Sequence, residues 1–228
     1  KVTRFLKSSD AREIISKFGQ IGTVTLDDGS IVKIGADSHL LIPPGFPSEV
    51  RAVRVTGTGS FQVAAGTLPF EVRLGEVAGV ATGTRFAVDY DTAPHAALVR
   101  VDEGSVTVRA GETQHPLTAG QALVVNEEMV ASEPPKAVVD EALAWTGGRL
   151  VVVDRPLRHA LDQARRWYSI ALVPYDMSLL ERNGSVDAPL DSSTVMIADL
   201  ERSGNMKFGW DDKTMTLYDA PTAPKSKK

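Results

Sequence analysis

Cysteine is absent from the 228 residues of this sequence. Thiol catalysis, cysteine-ligated zinc and disulfide bonds are therefore excluded. Long apolar runs are missing too, because no window approaches the roughly 20 hydrophobic residues of a membrane-spanning helix. The first residues offer no apolar stretch of the kind found in signal peptides. Basic charge is not in excess, since the formal net charge is -4, which argues against non-specific binding to nucleic acids or anionic membranes.

The composition does contain enough apolar material for a folded core. Hydrophobic residues make up 43% of the chain and charged residues 24%, which is typical of globular proteins. A chain of this length fits one large domain or two small ones. Such a core needs neither a disulfide nor a metal to stabilise it.

Residues 20–130 alternate between apolar and polar positions, which predicts strands. Residues 23–26 and 31–34 flank an Asp-Asp-Gly-Ser sequence that is typical of a hairpin turn. Looser copies at residues 53–63 and 100–108 each contain a Gly-Ser step and are interpreted as further hairpins. Short strands at close spacing predict an all-β sandwich, barrel or solenoid-like domain of stacked hairpins. No helix of three or more turns is expected between residues 22 and 125.

Residues 131–148 are interpreted as a linker or junction between two domains. Pro134 and Pro135 lie near its start, and paired prolines are expected to hold the chain extended and to interrupt both helix and sheet. Trp145 lies near its end and is expected to pack at the junction or in a core, as is Trp167.

Helical spacing begins after this linker, so residues 149–218 are predicted to form a small α+β domain. Asp154 is expected to cap a first helix that has Pro156 in its first turn, and a second helix is predicted from Ser192 to Gly204. The element order is β-α-β-β-α-β-β, and a hairpin ends the domain. Residues 219–228 are expected to be a disordered tail. The predicted fold class of the whole chain is mainly β.

No residue set has the spacing of a catalytic or metal site. The pairs Asp27-Asp28 and Asp211-Asp212 fall in predicted turns, where aspartate makes local hydrogen bonds. Gly57-Thr58-Gly59 lacks the third glycine and the following helix of a phosphate-binding loop. The sequence therefore predicts no enzyme, no metal and no cofactor. Widely separated surface or loop positions are expected for the four histidines, His39, His95, His115 and His159.

An ordered series of short motifs resembles the FecR-type sigma-factor regulators. Residues 83–88, Gly-Thr-Arg-Phe-Ala-Val, resemble the Gly-Thr-x-Phe-x-Val signature of that family. The C-terminal domain is similar to the secretin/TonB short N-terminal domain. One departure lies at residues 57–63, where the family usually carries a Gly-Glu-Ala-like step. The resemblance covers residues 20–218, and its motifs lie at residues 22–30, 69–73, 83–88, 101–106, 117–121 and 144–157.

This resemblance implies a role in cell-surface signalling and transcription regulation. Such anti-sigma-type proteins hold or activate a sigma factor through an N-terminal cytoplasmic segment. Their periplasmic part receives a signal from the periplasmic domain of a TonB-dependent outer-membrane transporter. The chain resembles that periplasmic part, the soluble portion of a single-pass inner-membrane protein, without the cytoplasmic segment. The resemblance thus implies that this chain binds another protein and contacts neither nucleic acid nor a membrane.

We expect the partner to dock by strand addition on the C-terminal domain. The final strand, residues 214–218, is the predicted sheet edge, with Trp210 beside it as an aromatic anchor. The alternative that this strand is interior to its sheet stays open. Two other functions also stay open, a secretin-type periplasmic assembly or scaffold protein and a carbohydrate-binding β domain. The candidate partner-binding residues are Trp210, Thr214, Thr216 and Tyr218.

Overall fold

A computed structural model of the chain describes residues 10–90, 96–211 and 214–219, with only the backbone described at 210–211 and 214–219. The chain divides into two compact units, residues 1–139 and 140–228. The predicted fold class, mainly β, is confirmed. Of the predicted tail, residues 220–228 lie outside the described part.

The first unit is built from strands. Among its described residues these are β1 (Arg12–Ser16), β2 (Gly22–Thr25), β3 (Ile31–Ile34), β4 (Ser38–Ile42), β5 (Ala52–Gln62), β6 (Phe70–Leu74), β7 (Val77–Ala81), β8 (Arg85–Tyr90), β9 (Ala97–Glu103), β10 (Ser105–Ala110), β11 (Thr113–Thr118), β12 (Ala122–Val125) and β13 (Ala131–Ser132).

The strands form a sandwich whose two layers share β5. Layer A has the hydrogen-bonded order β1-β4-β5-β6-β7-β10-β11, and layer B has the order β2-β3-β5-β8-β9-β12-β13. The first half of β5 pairs with β4 and β6, while its second half pairs with β3 and β8. One long strand therefore ties the two layers together.

The hairpin predicted around the Asp-Asp-Gly-Ser turn is present as β2 and β3. The prediction of two further hairpins, at residues 53–63 and 100–108, is wrong. Residues 52–62 are the single strand β5, which passes between layers near Gly57. Gly104 separates β9 and β10, which pair within different layers. Both glycines have positive φ, 87° and 79°. At each glycine the chain changes layer instead of pairing back on itself, a role that β sandwiches give to bends at their corners.

Aromatic side chains from both layers fill the core. Phe61 on β5 stacks on Phe86 of β8 with ring centroids 5.0 Å apart, and it lies 6.1 Å from the ring of Phe70 on β6. All three are fully buried, and each contributes on the order of 2–3 kcal/mol through burial. The phenylalanine of the Gly-Thr-x-Phe-x-Val segment is therefore a core residue.

The layer crossing in β5 rests on a close approach between Gly57 and the start of β4. Ser38 Oγ accepts a hydrogen bond from Thr58 N at 3.0 Å and donates one to Ala36 O at 3.2 Å. Thr58 Oγ1 donates to Val88 O at 2.9 Å. A Cβ atom at position 57 would collide with Ser38 Oγ and would lie 3.0 Å from the carbonyl oxygen of Asp37. The crossing therefore has room for glycine alone.

A buried ion pair holds the β2–β3 turn. Arg51 Nε donates to Asp28 Oδ2 at 2.7 Å, and the side chains are only 4% and 6% exposed. The other guanidinium nitrogens donate to the carbonyl oxygens of Leu68 and Ala64. Asp28 also accepts from the backbone N–H and hydroxyl of Ser30. Asp28 is thus a turn residue, as expected, and also the counter-ion of a buried arginine.

The second unit contains two small sheets. The antiparallel pair β14-β16 forms one, and the other has the order β15-β18-β17, in which β15 is parallel to β18. Two short 3₁₀ helices lie at residues 144–147 and 177–181. The elements are α1 (Lys136–Leu143), which spans the boundary between the units, then β14 (Arg149–Pro156), α2 (Leu157–Tyr168), β15 (Leu172–Pro174), β16 (Asn183–Pro189), α3 (Ser193–Gly204), β17 (Met206–Asp211) and β18 (Thr214–Asp219).

Two local expectations are wrong in this part of the chain. Pro134 and Pro135 do not prevent a helix, because α1 begins at the next residue and uses Pro135 O as an early acceptor; proline is well tolerated at a helix start. Asp154 is not a helix cap, since it lies within β14 at φ 50°, and Pro156 occupies the cap position of α2. The order β-α-β-β-α-β-β is present from β14 to β18.

Replacing Arg51 tests the buried ion pair. In Arg51→Ala the Asp28 carboxylate stays buried without a counter-charge, so we expect the free energy of unfolding to fall by about 3–5 kcal/mol. Urea denaturation followed by far-ultraviolet circular dichroism measures it. Arg85→Ala is the control, because it breaks an exposed pair with Glu103 and should lose less than about 1 kcal/mol. Equal losses in the two variants would contradict this account.

Replacing Gly57 tests the layer crossing. Gly57 and Gly120 share a φ of 87°, but a Cβ at Gly120 meets nothing within 4 Å. The free energy of unfolding of Gly120→Ala should therefore fall only by the cost of a left-handed backbone at alanine, about 1–2 kcal/mol. Gly57→Ala should lose clearly more, because the new methyl group collides with Ser38 and Asp37. Thermal denaturation of both variants measures the difference, and a Gly57→Ala variant as stable as Gly120→Ala would be evidence against the close approach.

Candidate functional site

The predicted docking strand is interior to its sheet. β18 pairs with β17 on one side and with β15 on the other, so that Thr216 lies opposite both Gly209 and Val173. The prediction that residues 214–218 form an open edge is therefore wrong. A hairpin partner such as β17 is visible in the sequence, whereas the distant parallel strand β15 is not. Trp210 lies on β17, opposite Met215.

Whether Trp210, Thr214, Thr216 and Tyr218 contact a partner stays a prediction. Three of them lie on the interior strand β18, and Trp210 lies on the outer strand β17. Strand addition along the centre of β18 is closed, because residues 215–217 pair on both sides. The outer strands of the two small sheets are therefore the places to search for an open edge.

The outer edge of β16 is covered by side chains of helix α3. Ser203 Oγ accepts from the N–H of Ser185 at 2.8 Å and donates to its carbonyl oxygen at 2.9 Å. Asp199 Oδ2 accepts from the N–H of Asp187 at 3.1 Å. These bonds satisfy the backbone groups of Ser185 and the N–H of Asp187 that point away from β14. A partner strand cannot pair here without displacing the helix.

The same helix also protects the outer edge of β17. Glu201 Oε1 accepts from the N–H of Phe208 at 3.0 Å, and its Oε2 accepts from Lys207 Nζ at 2.9 Å. Because Phe208 directs its amide to Glu201, this amide points away from β18. Helix α3 thus covers an edge of each small sheet, through Ser203 and Asp199 on one side and Glu201 on the other.

Two edges remain in the described part of the second unit. β15 has only three residues, and one of them is Pro174, which has no N–H to donate. β14 has eight residues and pairs only with β16. The edge of β14 is therefore the long open edge among the described strands of the second unit.

The direction of the β14 backbone follows from the register. Val151 lies opposite Asp187, and the N–H of Asp187 bonds to helix α3 instead of β14. In antiparallel sheets such a pair is non-hydrogen-bonded, so both partners point their backbone groups outward. The N–H and C=O of Val151, and by the same period those of Arg149, therefore face the open edge.

Side chains around this edge are both apolar and charged. Val153 is 56% exposed, and a cavity of about 300 Å³ lies beside β14 and β16 against helix α3. Arg149 pairs with Asp187, and Arg155 pairs with Glu141. Beyond Val152 the register shifts, with Asp154 at φ 50°, so regular pairing ends there. The site offers about four residues of regular strand and a shallow apolar surface.

Two contacts support the elements around β14 and β16. The ring of Trp145, in the 3₁₀ helix before β14, stacks on Trp167 of α2 with centroids 5.8 Å apart, and both side chains are buried, which agrees with the packing expected for them. Tyr168 donates its hydroxyl proton to Pro189 O, at the end of β16, at 2.9 Å. The open edge is thus carried on a packed support and not on a loose loop.

The other candidate residues do not converge on a site. His39 lies 3.0 Å from Glu13, His115 lies 3.3 Å from Thr113, and His159 lies 3.6 Å from Glu141; His95 and Asp212 lie outside the described residues. In the described part of the chain no three histidine, cysteine or carboxylate side chains are grouped for metal binding. No helix there is long and apolar enough to cross a membrane. The prediction that the chain has no enzymatic activity and no cofactor stays a prediction.

Comparison with known proteins identifies the first unit. Residues 12–107, from β1 into β10, match the FecR protein family. Two crystal structures of a proposed anti-sigma factor from Parabacteroides distasonis ATCC 8503, at 2.50 and 1.65 Å resolution, have the same fold, with TM-scores of 0.73 and 0.72. Their identity to this chain is 22%, and the alignments cover 92% and 91% of it and 99% of each other chain. No curated protein matches the sequence.

Residues 12–107 are therefore a FecR domain. The family match begins at Arg12, before the domain start predicted at residue 20. At 22% identity the two crystal structures establish the fold and not the partner.

The hydroxyl of Tyr168 provides a test of the support for the edge. Burial, and secondarily the carboxylate of Asp191, raise the pKa of Tyr168 from 10.0 to about 12, against an opposing effect of Arg149. Because the raised pKa favours the protonated form in the folded state, its stabilisation is complete below about pH 10 and is lost as the pH rises towards 12. The tyrosinate absorbance difference between wild type and Tyr168→Phe should have a midpoint near pH 12. A midpoint at the ordinary value would mean that the hydroxyl is solvated.

Proposed function

We propose that this chain is the signal-receiving periplasmic module of a transmembrane anti-sigma-type regulator. Its second unit binds the periplasmic domain of a TonB-dependent outer-membrane transporter. A cytoplasmic segment that handles the sigma factor lies elsewhere in the native protein, joined through one span of the inner membrane. The FecR domain at residues 12–107 supports the regulatory role.

The observation that carries the docking part of this proposal is the asymmetry of the strand edges. Helix α3 covers the edges of β16 and β17 with Ser203, Asp199 and Glu201. Natural proteins cover edges in this way to prevent unwanted strand pairing. The edge of β14 lacks such cover in the described residues, and it is the long one. A partner strand is the ligand whose hydrogen-bonding pattern matches it.

The side chains around β14 favour the same partner. An added strand would place alternate side chains over the apolar surface near Val153 and the cavity beside helix α3. Main-chain hydrogen bonds to Arg149 and Val151 would supply much of the affinity. Trp210 lies on β17, and Thr214, Thr216 and Tyr218 lie on β18, so none of the four is part of this edge.

A charge placed at the edge of β14 should prevent docking. Lysine on an edge strand disfavours strand addition, and Val153 is 56% exposed, so Val153→Lys should leave the fold intact. We expect its affinity for a transporter signalling domain to fall by about tenfold or more, which corresponds to roughly 1.4 kcal/mol. Calorimetric titration with purified signalling domains of the source organism's transporters measures the affinity.

Two matched variants complete this experiment. Val130→Lys makes the same change at a residue of the first unit that is 57% exposed, and it should bind as wild type does. Val173→Lys tests the short edge strand β15, where Val173 is 47% exposed. If only Val173→Lys weakens binding, the partner docks at the edge of β15 and not at that of β14. If the wild-type chain binds none of these domains, the proposed function is wrong.

A further inference from the structure

Three arginines lie in one row across the outer face of layer A. Arg54 on β5 lies directly opposite Arg73 on β6, and Arg73 is followed across the sheet by Ala78 and then by Arg109 on β10. Their sequence neighbours are buried in the core. Because side chains alternate between the faces of a strand, the three arginines project from the other face. We call Arg54, Arg73 and Arg109 the arginine row.

The positive charge of this row is only partly balanced. Glu71 contacts two of the arginines, with Oε1 2.5 Å from Arg73 Nε and Oε2 3.5 Å from Arg109 Nη1. Arg54 has no ion pair among the described residues. Glu13, at the far end of the same row beyond Leu41, is engaged with His39. Three positive charges therefore face one negative charge, and the two closest arginines are directly opposite each other.

Such an arrangement is unfavourable in the isolated protein. Like charges directly opposite each other on neighbouring strands destabilise a sheet. The arginine row becomes favourable when carboxylates are placed over it, since the planar guanidinium group binds a carboxylate through two parallel hydrogen bonds. The three side chains are also accessible, because Arg73 and Arg109 are 24% and 45% exposed and Arg54 is partly exposed.

We propose that the arginine row binds an extended acidic segment of a partner protein. Neighbouring strands lie about 4.8 Å apart, so Arg54 and Arg109 are separated by about 14 Å. In an extended segment, carboxylates at alternate positions i, i+2 and i+4 span about 13 Å, which matches the end-to-end length of the row. This surface belongs to the first unit, so the proposal does not depend on docking at β14.

A protein segment fits better than an anionic membrane surface. Basic lipid-binding sequences carry clusters of about four to eight lysines and arginines, whereas this face carries three arginines with Glu71 among them. The formal net charge of the chain is -4, which opposes approach to an extended anionic surface. A narrow row with an acidic residue at its side suits a discrete ligand with few charges.

The test uses the full chain and a fluorescent nine-residue peptide with glutamate at three alternate positions. A peptide with glutamine at those positions is the ligand control. Fluorescence anisotropy should show binding of the first peptide only, and the binding should weaken as salt is raised. Arg54→Gln should weaken it by about threefold to fivefold, the range of a partly exposed ion pair.

Arg100→Gln is the matched protein control. Arg100 lies on the outer face of layer B and contacts Asp102 at 2.9 Å, so this variant loses the same charge on the opposite layer. It should bind the glutamate peptide as wild type does. Arg109→Gln should weaken the peptide as Arg54→Gln does, which provides a second variant if one of them fails to fold.

Three results would overturn the proposal. Unchanged peptide affinity in both Arg54→Gln and Arg109→Gln would show that the row is not the site. If Arg100→Gln weakens peptide binding as much as Arg54→Gln does, the effect comes from the overall charge of the protein and not from the row. If the chain binds phosphatidylglycerol vesicles more strongly than the peptide, and Arg54→Gln loses that binding, the row binds lipid phosphate instead.

Removing the repulsion between Arg54 and Arg73 should also leave the melting temperature of Arg54→Gln at or above that of wild type at low salt.

Discussion

The ion pair between Arg51 and Asp28 is the constraint on which the first unit depends. Arg51 directly precedes β5, the strand that both layers share, and its guanidinium group joins the β2–β3 turn to the chain that leaves β5 at Ala64. A charge so deeply buried is tolerated only when its hydrogen bonds are satisfied, and here carbonyl oxygens complete the set. The pair therefore fixes where β5 begins and ends relative to layer B. The aromatic core, with Phe61 on β5, can then form between the layers.

Helix α3 has a comparable part in the second unit. It contributes apolar side chains such as Met196 and Leu200 to the core, and its polar side chains occupy strand edges. The consequence concerns recognition, because covering the edges of β16 and β17 leaves a partner strand one long edge in the described unit. Specificity of docking is then set as much by the edges that are closed as by the edge that is open. A regulator that meets a partner by main-chain pairing needs this restriction, since backbone groups alone carry little sequence information.

The two proposed surfaces use different chemistry. The β14 edge offers amides and carbonyls of fixed spacing, and its strength depends on strand geometry. The arginine row offers charge on a rigid sheet face, and its strength depends on salt and on the placement of carboxylates. One surface lies in each unit, so each can be altered by a single substitution without touching the other. The two proposed binding activities can thus be separated by experiment.

The sequence by itself determined the fold class and the resemblance to the FecR family. Period-two alternation, the Asp-Asp-Gly-Ser turn and the ordered motifs were sufficient for the mainly β fold, the first hairpin and the FecR resemblance, because these depend on neighbours in the chain. Tertiary structure alone decided that Gly57 and Gly104 are layer crossings, that Asp28 faces Arg51, and that β18 is interior to its sheet. The register that aligns the arginine row was also decided there. Each of these results from pairing between residues distant in sequence, and local periodicity contains no information about which distant strand becomes a neighbour.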